Sequence, residues 1–303
     1  MEKVSDANMS EFEREIGMTR EEDVKTLRNW INCQPHLPDL KDDEETAHWL
    51  RNFLFFCKNR PEKAKRNLEH YFSSRSLVPE LFGSRDPADE AIAASVKNLY
   101  LFPLPRLTPD GCRVHLFSHA VADASAYDAD AFMRRALMFL DWKIKEDVTC
   151  GDIFIFHMKY SSLAHLGKYN FATLSRFIAT VINAYPLRIK SVHFTAAPSF
   201  VSYIISNPFI TDKIKKRIKV HAGDNFKDLL TEIPARCLPK ELGGTIEDSL
   251  EALNDAQYGR LLALRDWYLS TRDWKSDEGK RPPELKTNDL FGCDGSFRSL
   301  NVD

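Results

Sequence analysis

The segment between residues 151 and 195 constrains the fold more than any other part of the chain. Residues 153–156 are uniformly apolar, which is typical of a central strand covered on both faces. A helical stripe of apolar side chains follows and ends at Pro186, and residues 192–195 are predicted to form the next strand. A strand, a helix and a strand in this order favour parallel pairing through a right-handed crossover. The sequence therefore predicts an α/β fold.

Composition narrows the class of protein. The chain has 303 residues, of which 43% are hydrophobic and 28% are charged, and its net charge is −2. These values are ordinary for a globular protein and argue against a whole-protein basic footprint for nucleic acid. Any attraction to an anionic partner must therefore come from a local patch of positive charge.

Neither a membrane span nor a bound metal is expected from the sequence. No stretch approaches the roughly 20 continuous apolar residues that a membrane-spanning helix needs. Residues 1–23 are polar and lack the apolar core of a signal peptide. The six cysteines are scattered without a CxxC pair, which favours free thiols over a disulfide framework or a zinc site. We expect a cytoplasmic protein with no metal and no cofactor.

Hydrophobic patterning divides the chain into three parts. Residues 1–90 carry apolar side chains at helical spacing around Trp49, and a further helix can begin at Pro61, so this part is predicted to be an N-terminal helical lobe. Residues 91–250 contain the predicted strands and form the α/β domain. Residues 251–303 are predicted to form a C-terminal helix followed by an extended tail.

Several short motifs, taken together in their order and spacing, resemble those of one known family. They are Leu27-Arg28-Asn29-Trp30, Trp49-Leu50-Arg51-Asn52-Phe53-Leu54, Tyr185-Pro186-Leu187-Arg188, Pro208-Phe209-Ile210-Thr211-Asp212-Lys213-Ile214, and Leu238-Pro239 through Gly243-Gly244. The sequence in this respect resembles the CRAL-TRIO lipid-transfer family, and residues 294–303 look like the tails of its insect members. The resemblance implies that residues 91–250 are a CRAL-TRIO lipid-binding domain with a mainly parallel sheet and a mobile lid helix, preceded by an all-α lobe.

The resemblance implies a cavity for one hydrophobic molecule between the sheet and the lid helix. Alternate residues of a strand share a face, so Phe154 and Phe156 point the same way. The resemblance places this face on the ligand, together with side chains from the next helix, the next strand and the lid: Phe177, Val181, Val192, Phe194, Phe200 and Ile204. From the residues alone, the alternative is that such side chains simply pack a core. A Phe-rich wall suits a retinoid, a tocopherol-like molecule or another isoprenoid, and a phospholipid is also possible.

One polar residue is expected beside this cavity. His157 stands after the first core strand, where the family usually carries an acidic residue, and Tyr160 replaces the usual glycine three residues further on. We include His157 among the predicted ligand contacts, because its imidazole could hydrogen-bond a polar end group of the cargo. The alternative is a structural histidine.

Residues 199–206 are predicted to form the lid helix, with Ser199 as its N-cap. Phe200 and Ile204 would cover the cargo, and the apolar side chains on the other side of the helix would be exposed unless they meet a membrane. Without the family resemblance, the same segment is interpreted as an ordinary buried helix.

A basic cluster follows the lid. Five of the seven residues from Lys213 to Lys219 are cationic, and a charge run of this kind is usually a solvated face. The resemblance adds a function, because the tocopherol-transfer branch of the family binds phosphoinositide headgroups through basic residues at this place. The matching positions are Lys213 and Arg217, with Arg188 after the preceding helix and Lys58 in the helical lobe. Cations that converge on phosphates form strong charge-assisted hydrogen bonds.

No catalytic motif is found. The chain contains no GxGxxG, no P-loop and no GxSxG, and only four residues separate Cys293 from Arg298, where a cysteine-phosphatase loop needs five. His115 and His119 are four residues apart, but we interpret their segment as strand-to-loop, which does not make a metal-binding pair. We therefore predict that the protein is not an enzyme.

The sequence as a whole predicts a carrier that exchanges one hydrophobic lipid at phosphoinositide-containing or other anionic membranes, with transient membrane association. One alternative is a lipid-sensing adaptor that reports bound lipid to an unknown protein partner, with an exposed aromatic cluster at residues 267–274 as the contact surface. A second alternative is an enzyme that acts on a buried lipid through His157.

Overall fold

The computed structural model describes residues 1–206, 210–221, 223 and 226–285. Two features singled out in the sequence lie outside the described residues. One is the stretch 207–209, which belongs to a family-like motif, and the other is the tail from residue 286 onward, with Cys293 and the insect-like segment.

The part of the chain before the first strand is helical, as predicted. Its helices are α1 (Asp6–Ile16), α2 (Glu21–Asn32), α3 (Glu44–Phe56), α4 (Pro61–Leu77), α5 (Pro79–Phe82) and α6 (Glu90–Asn98). Amphipathic spacing explains the helices: α2 buries Val24 and Leu27 on one face, and α3 buries Trp49. The Asp43 side chain caps α3 by accepting a hydrogen bond from a backbone N–H, and Pro61 begins α4.

The remaining helices alternate with the strands or follow them. They are α7 (Ala129–Glu146), α8 (Leu163–Leu166), α9 (Phe171–Ala184), α10 (Val201–Ile205), α11 (Asp212–Lys215), α12 (Lys227–Glu232), α13 (Leu250–Ala263) and α14 (Arg265–Ser270). The N-terminal helices lie against this set, because α4 packs on α9 and α3 packs on α7.

The strands within the described residues form one sheet in the order β1-β2-β3-β4-β5. They are β1 (Leu99–Leu107), β2 (Cys112–His119), β3 (Gly151–His157), β4 (Ile189–Thr195) and β5 (Ile218–Val220). Only β1 and β2 pair antiparallel, and the other neighbours are parallel. The unit β3–α9–β4 is the strand–helix–strand predicted from the central segment. The prediction of an α/β fold with a mainly parallel sheet, preceded by helices, is therefore confirmed.

Both faces of the sheet are covered, but by different layers. One face packs Val114, Leu116 and Ile155 into a small core that the chain after β5 completes: Leu229, Ile233, Leu238, Leu242 and Ile246. The opposite face carries Phe154 and Phe156 and is overlaid by side chains of α7 and α9. This double coverage explains why residues 153–156 lack polar alternation.

A buried carboxylate joins the helical lobe to the α/β part. Asp141 of α7 is fully buried and accepts a hydrogen bond from the Tyr71 hydroxyl at 2.8 Å. Its other oxygen lies 3.2 Å from the guanidinium of Arg75 and 2.7 Å from that of Arg85. Arg75 also donates to the backbone carbonyl of Thr271 at 3.2 Å, so one network ties three distant parts of the chain together.

The predicted exposed aromatic cluster at residues 267–274 is wrong. Trp267 and Tyr268 are buried, and the Trp274 ring packs 4.8 Å from that of Trp49. The Tyr268 hydroxyl donates to the backbone carbonyl of Met138 at 2.8 Å. These aromatic side chains anchor the C-terminal helices in the core, because their large apolar area is removed from water there.

We expect Asp141→Asn to lower the free energy of unfolding by about 3–5 kcal/mol, since it leaves two buried guanidinium groups without a counter-charge. Urea denaturation monitored by tryptophan fluorescence measures this change. The matched control is Glu62→Gln, which removes a carboxylate that is 82% exposed and pairs with Lys65 at 2.7 Å. The control substitution is expected to lower the free energy of unfolding by less than about 1 kcal/mol. An equal decrease in both variants would contradict a special role for Asp141.

Candidate functional site

A cavity of about 370 Å³ lies between the sheet and the helices that cover its second face. Its floor comes from β2, β3 and β4, its walls come from α7 and α9, and α10 closes part of it. Most of the lining is aliphatic or aromatic. The side chains that give this character include Phe117, Phe132, Phe139, Phe154, Phe156, Leu174, Phe177, Val181, Val192 and Phe194.

The helix α9 forms one wall because both its ends are fixed locally. The Asn170 side chain accepts hydrogen bonds from the N–H groups of Ala172 and Thr173 at 3.0 and 3.2 Å, which begins the helix. Pro186 follows its C-cap and prevents continuation. Between these ends, the helical spacing brings Phe177 and Val181 to the cavity.

Eight of the nine predicted ligand contacts line this cavity. They are Phe154, Phe156, Phe177, Val181, Val192, Phe194, Phe200 and Ile204. The sheet register explains why residues of two strands that are distant in sequence line the same cavity. Phe154 pairs with Val192, and Phe156 pairs with Phe194, across β3 and β4. The rings of Phe156 and Phe194 stack at 5.0 Å. The geometry is that of one continuous apolar surface, while lipid contact by these residues stays a prediction.

His157 does not lie in the cavity, which corrects its place in the predicted set. Because successive residues of a strand point to opposite faces, the inward direction of Phe156 sends His157 to the other side of β3. There the imidazole is buried, with Nδ1 3.0 Å from the Thr195 hydroxyl, and the ring is 6.0 Å from that of Phe226. The location of His157 agrees with the structural alternative.

Three other histidines, His115, His119 and His165, line the cavity instead, and the sequence interpretation assigned none of them to it. The strand β2 extends to His119, so residues 115, 117 and 119 share the face that meets the cavity. The segment is therefore strand throughout, and the predicted strand-to-loop change before His119 is wrong. The alternation of side chains between the two faces of β2 could have identified His115 and His119 as cavity residues from the sequence.

His115 is tied into the floor of the cavity. Its Nε2 lies 3.0 Å from the Asp152 carboxylate, which also pairs with the Lys143 ammonium at 2.9 Å, and its ring stacks on Phe154 at 4.9 Å. Burial alone would raise the pKa of Asp152, but the charge of Lys143 and the hydrogen bond from His115 lower it to about 2. The carboxylate of Asp152 is therefore ionised, and it interacts with His115 and Lys143.

The predicted lid corresponds in part to a helix. α10 spans Val201–Ile205, and its N-cap is Phe200, which provides no side-chain hydrogen bond. The predicted Ser199 cap is wrong, because the N-cap position is held by Phe200 and Ser199 lies one residue before it. Phe200 is buried and Ile204 is half-buried, and both border the cavity.

Two of the predicted phosphate-binding cations meet on one carboxylate. Lys58 and Arg188 each lie 2.9 Å from Glu15 of α1, and the Arg188 guanidinium stacks 4.1 Å from the Phe12 ring. Hydrogen bonds from Arg188 and Lys58 lower the pKa of Glu15 to about 2. The N-terminal helix thus supplies a negative charge to the surface where the sequence predicted only cations.

The other two predicted cations lie near this pair. Arg217 donates to the backbone carbonyl of Ile189, the residue after Arg188. Lys213 lies close to Lys63: burial lowers the pKa of Lys63, and the charges of Lys213 and Lys58 lower it further. We call Lys58, Lys63, Arg188, Lys213 and Arg217 the basic surface. Headgroup binding by this surface stays a prediction.

Comparison with known proteins places these features in a family. Residues 97–244 match the family model described as the CRAL/TRIO domain, and residues 18–92 match the model described as the Pinta-like, UBA domain. The chain thus contains a CRAL/TRIO domain, which confirms the resemblance given by the motifs.

Relatives and a solved structure are also similar to this chain. The human protein named alpha-tocopherol transfer protein-like is 29% identical over 74% of this chain and 65% of its own length. Clavesin-1 of Xenopus laevis is 28% identical over 75% of this chain and 69% of its own length. The crystal structure of Sfh5 aligns with a TM-score of 0.49 and 12% identity, over 78% of this chain and 89% of that one. Within the described residues, no helix is both long enough and apolar enough to cross a membrane.

We expect Phe156→Asp to lower the amount of lipid that copurifies with the protein at least tenfold, because it places a carboxylate in an apolar wall. Mass spectrometry of an organic extract, normalised to folded protein, measures the change. The control is Met18→Asp, which puts the same charge on a side chain that is 72% exposed. Unchanged occupancy in a folded Phe156→Asp variant would mean that lipid is held elsewhere.

Proposed function

We propose that this protein is a non-enzymatic lipid carrier that holds one hydrophobic lipid in its cavity and exchanges it at membranes. The observation that carries the proposal is the apolar cavity of about 370 Å³ between the sheet and α9, bordered by Phe200 and Ile204. Small-molecule sites are concave and mostly apolar, with volumes of about 300–1,000 Å³. A lipid there would be stabilised by about 25 cal/mol for each Å² of apolar surface removed from water.

The cargo that fits this wall best is an isoprenoid of the retinoid or tocopherol-like kind. Stacked and tilted rings such as Phe117, Phe156 and Phe194 give flat, rigid surfaces that complement a conjugated or branched chain. The human relative is named alpha-tocopherol transfer protein-like, and this similarity supports both the class of cargo and the transfer step.

Cargo entry and exit require α10 to move. The helix is only five residues long, and its N-cap makes no side-chain hydrogen bond. Such short, weakly capped elements open at a low free-energy cost compared with core helices. We therefore assign the mobile lid of the carrier to α10, with Phe200 and Ile204 as the side chains that leave the cargo when it opens.

The basic surface is the proposed membrane contact. Lys58, Arg188, Lys213 and Arg217 would bind a phosphoinositide or another anionic headgroup, since cations next to an anionic leaflet each contribute roughly 1 kcal/mol to binding. The grouping of Lys58 and Arg188 on one carboxylate supports this proposal, because it places both cations within reach of a single anionic group.

We expect Lys58→Gln combined with Lys213→Gln to weaken binding to vesicles that contain phosphatidylinositol bisphosphate by about 30-fold, as two charges of roughly 1 kcal/mol each are lost. Cosedimentation measures the affinity, and cargo occupancy should not change. The control pair is Lys97→Gln with Lys240→Gln, which removes two exposed charges elsewhere. If both pairs of substitutions weakened vesicle binding equally, the effect would be due to net charge and not to the basic surface.

Glu15 should oppose headgroup binding. We expect Glu15→Gln to strengthen binding to the same vesicles about fivefold, because it removes one negative charge from Lys58 and Arg188 and from the membrane contact. Glu11→Gln, on the same helix, is the matched control for net charge. Weaker binding of Glu15→Gln would mean that the carboxylate organises the basic surface and does not compete for it.

The whole proposal is tested by moving a lipid between two vesicle populations. The protein is expected to accelerate transfer of a fluorescent retinoid or tocopherol from donor to acceptor vesicles in proportion to its concentration. Binding of the lipid without any acceleration would overturn the carrier function in favour of a lipid-sensing adaptor.

A further inference from the structure

A cluster of polar side chains interrupts the apolar lining around the carboxyl ends of β2 and β3. It consists of His119, Ser161, Ser162, His165 and Tyr169, all of which line the cavity. The rings of His119 and His165 are 4.0 Å apart, and the ring of Tyr127 packs 4.9 Å from that of His119. We call these residues the polar end of the cavity.

Most groups of the polar end satisfy one another. The Ser162 hydroxyl lies 2.9 Å from His165 Nδ1, and the Tyr127 and Tyr169 hydroxyls are hydrogen-bonded to each other. His119 Nδ1 lies 2.8 Å from the Ser161 hydroxyl. The exception is the second nitrogen of His119, since Nε2 is buried and has no hydrogen-bond partner among the residues that the structure describes. A buried polar atom left in this way costs about 1–3 kcal/mol, so a partner supplied by a ligand is favoured.

The imidazole of His119 is neutral at physiological pH. Burial, together with the neighbouring His165, lowers its pKa to about 3. In a neutral imidazole one nitrogen donates and the other accepts a hydrogen bond, and the Ser161 hydroxyl can complement either state of Nδ1. Nε2 is therefore either a donor or an acceptor. A hydroxyl group serves both cases, whereas a carbonyl or ether oxygen serves only one.

Two other interpretations of the polar end are weaker. A metal ion would need further ligands, and the described residues contain no group of three or more His, Cys, Asp or Glu side chains that could hold one. A carboxylate ligand would need a cation, and none of the described side chains that line the cavity is Lys or Arg. A neutral oxygen avoids the large penalty for burying an unpaired charge.

We propose that the cargo carries a terminal hydroxyl that hydrogen-bonds His119 Nε2, with its hydrocarbon chain along Phe117, Phe156 and Phe194. This inference rests on the proposed carrier function and names the chemical class of the lipid: an isoprenoid alcohol, as opposed to the acid or the hydrocarbon. The cargo would thereby lie in one orientation, with its oxygen at the carboxyl ends of the strands.

The test compares three probes with the same isoprenoid chain: geranylgeraniol, geranylgeranoic acid and the matching hydrocarbon without oxygen. Equilibrium distribution of each radiolabelled probe between the full chain and phosphatidylcholine vesicles gives the relative affinities. His119→Phe keeps an aromatic ring and removes both nitrogens. We expect this variant to lower the affinity for the alcohol about tenfold, the equivalent of one hydrogen bond of about 1.4 kcal/mol. The affinity for the hydrocarbon should change by less than about twofold.

Two further variants separate a lost hydrogen bond from altered packing. His119→Gln restores an amide donor and acceptor, so it should recover part of the preference for the alcohol. Phe177→Leu changes the apolar cavity wall and removes no hydrogen-bonding group, so it should weaken binding of the alcohol and of the hydrocarbon alike. The inference is overturned if His119→Phe weakens binding of the alcohol and of the hydrocarbon equally. It is also overturned if the acid binds the unaltered protein more tightly than the alcohol does.

A measurement on the unaltered protein covers the case in which His119→Phe does not fold. The nitrogen-15 resonance of His119 Nε2 should shift when geranylgeraniol binds and stay in place when the hydrocarbon binds. Identical responses to both probes would overturn the inference while leaving the carrier function intact. Failure of every probe to bind the unaltered protein would instead remove the carrier function itself.

Discussion

The network of salt bridges and hydrogen bonds around Asp141 is the interaction on which the rest of the structure depends. Its carboxylate holds Tyr71 and Arg75 of α4 together with Arg85, and Arg75 continues to the chain after α14. Each of these groups is buried, so each is stable only while the others stay in position. The helical lobe and the sheet are thereby held in one relative placement, and α4 can serve as the support against which α9 packs.

That fixed placement explains how a cavity can exist beside a well-packed core. The outer face of the sheet is filled by side chains such as Leu229 and Leu238, which belong to one buried cluster with side chains of β2 and β3. On the inner face, α9 is held between the Asn170 cap and Pro186 and rests on α4, so it does not collapse onto Phe154 and Phe156. The volume left between α9 and the sheet is the cavity. A lipid would complete this layer of the core.

The fold could be predicted from the sequence wherever a local pattern carried the information. The apolar run at 153–156 and the stripe before Pro186 are of this kind, and the family motifs indicated which face of the strand meets the cavity. Strict alternation along β2 and β3 would also have excluded His157 and included His119, had it been applied to the ends of both strands. Contacts between distant segments could not be predicted in this way. Trp274 packs on Trp49, and Glu15 meets partners 43 and 173 residues away.

Glu15 gives the protein a counterion of its own. In the free protein, this carboxylate already pairs with Lys58 and Arg188, so a phosphate that bound the basic surface, as proposed, would replace one anion by another. Salt screens the internal pair as well as the proposed contact with the membrane, because Glu15 is 52% exposed and its ion pairs are open to solvent. The affinity for anionic membranes should therefore fall less steeply with salt concentration than the number of cations suggests, and the protein would discriminate among membranes by headgroup geometry more than by total surface charge.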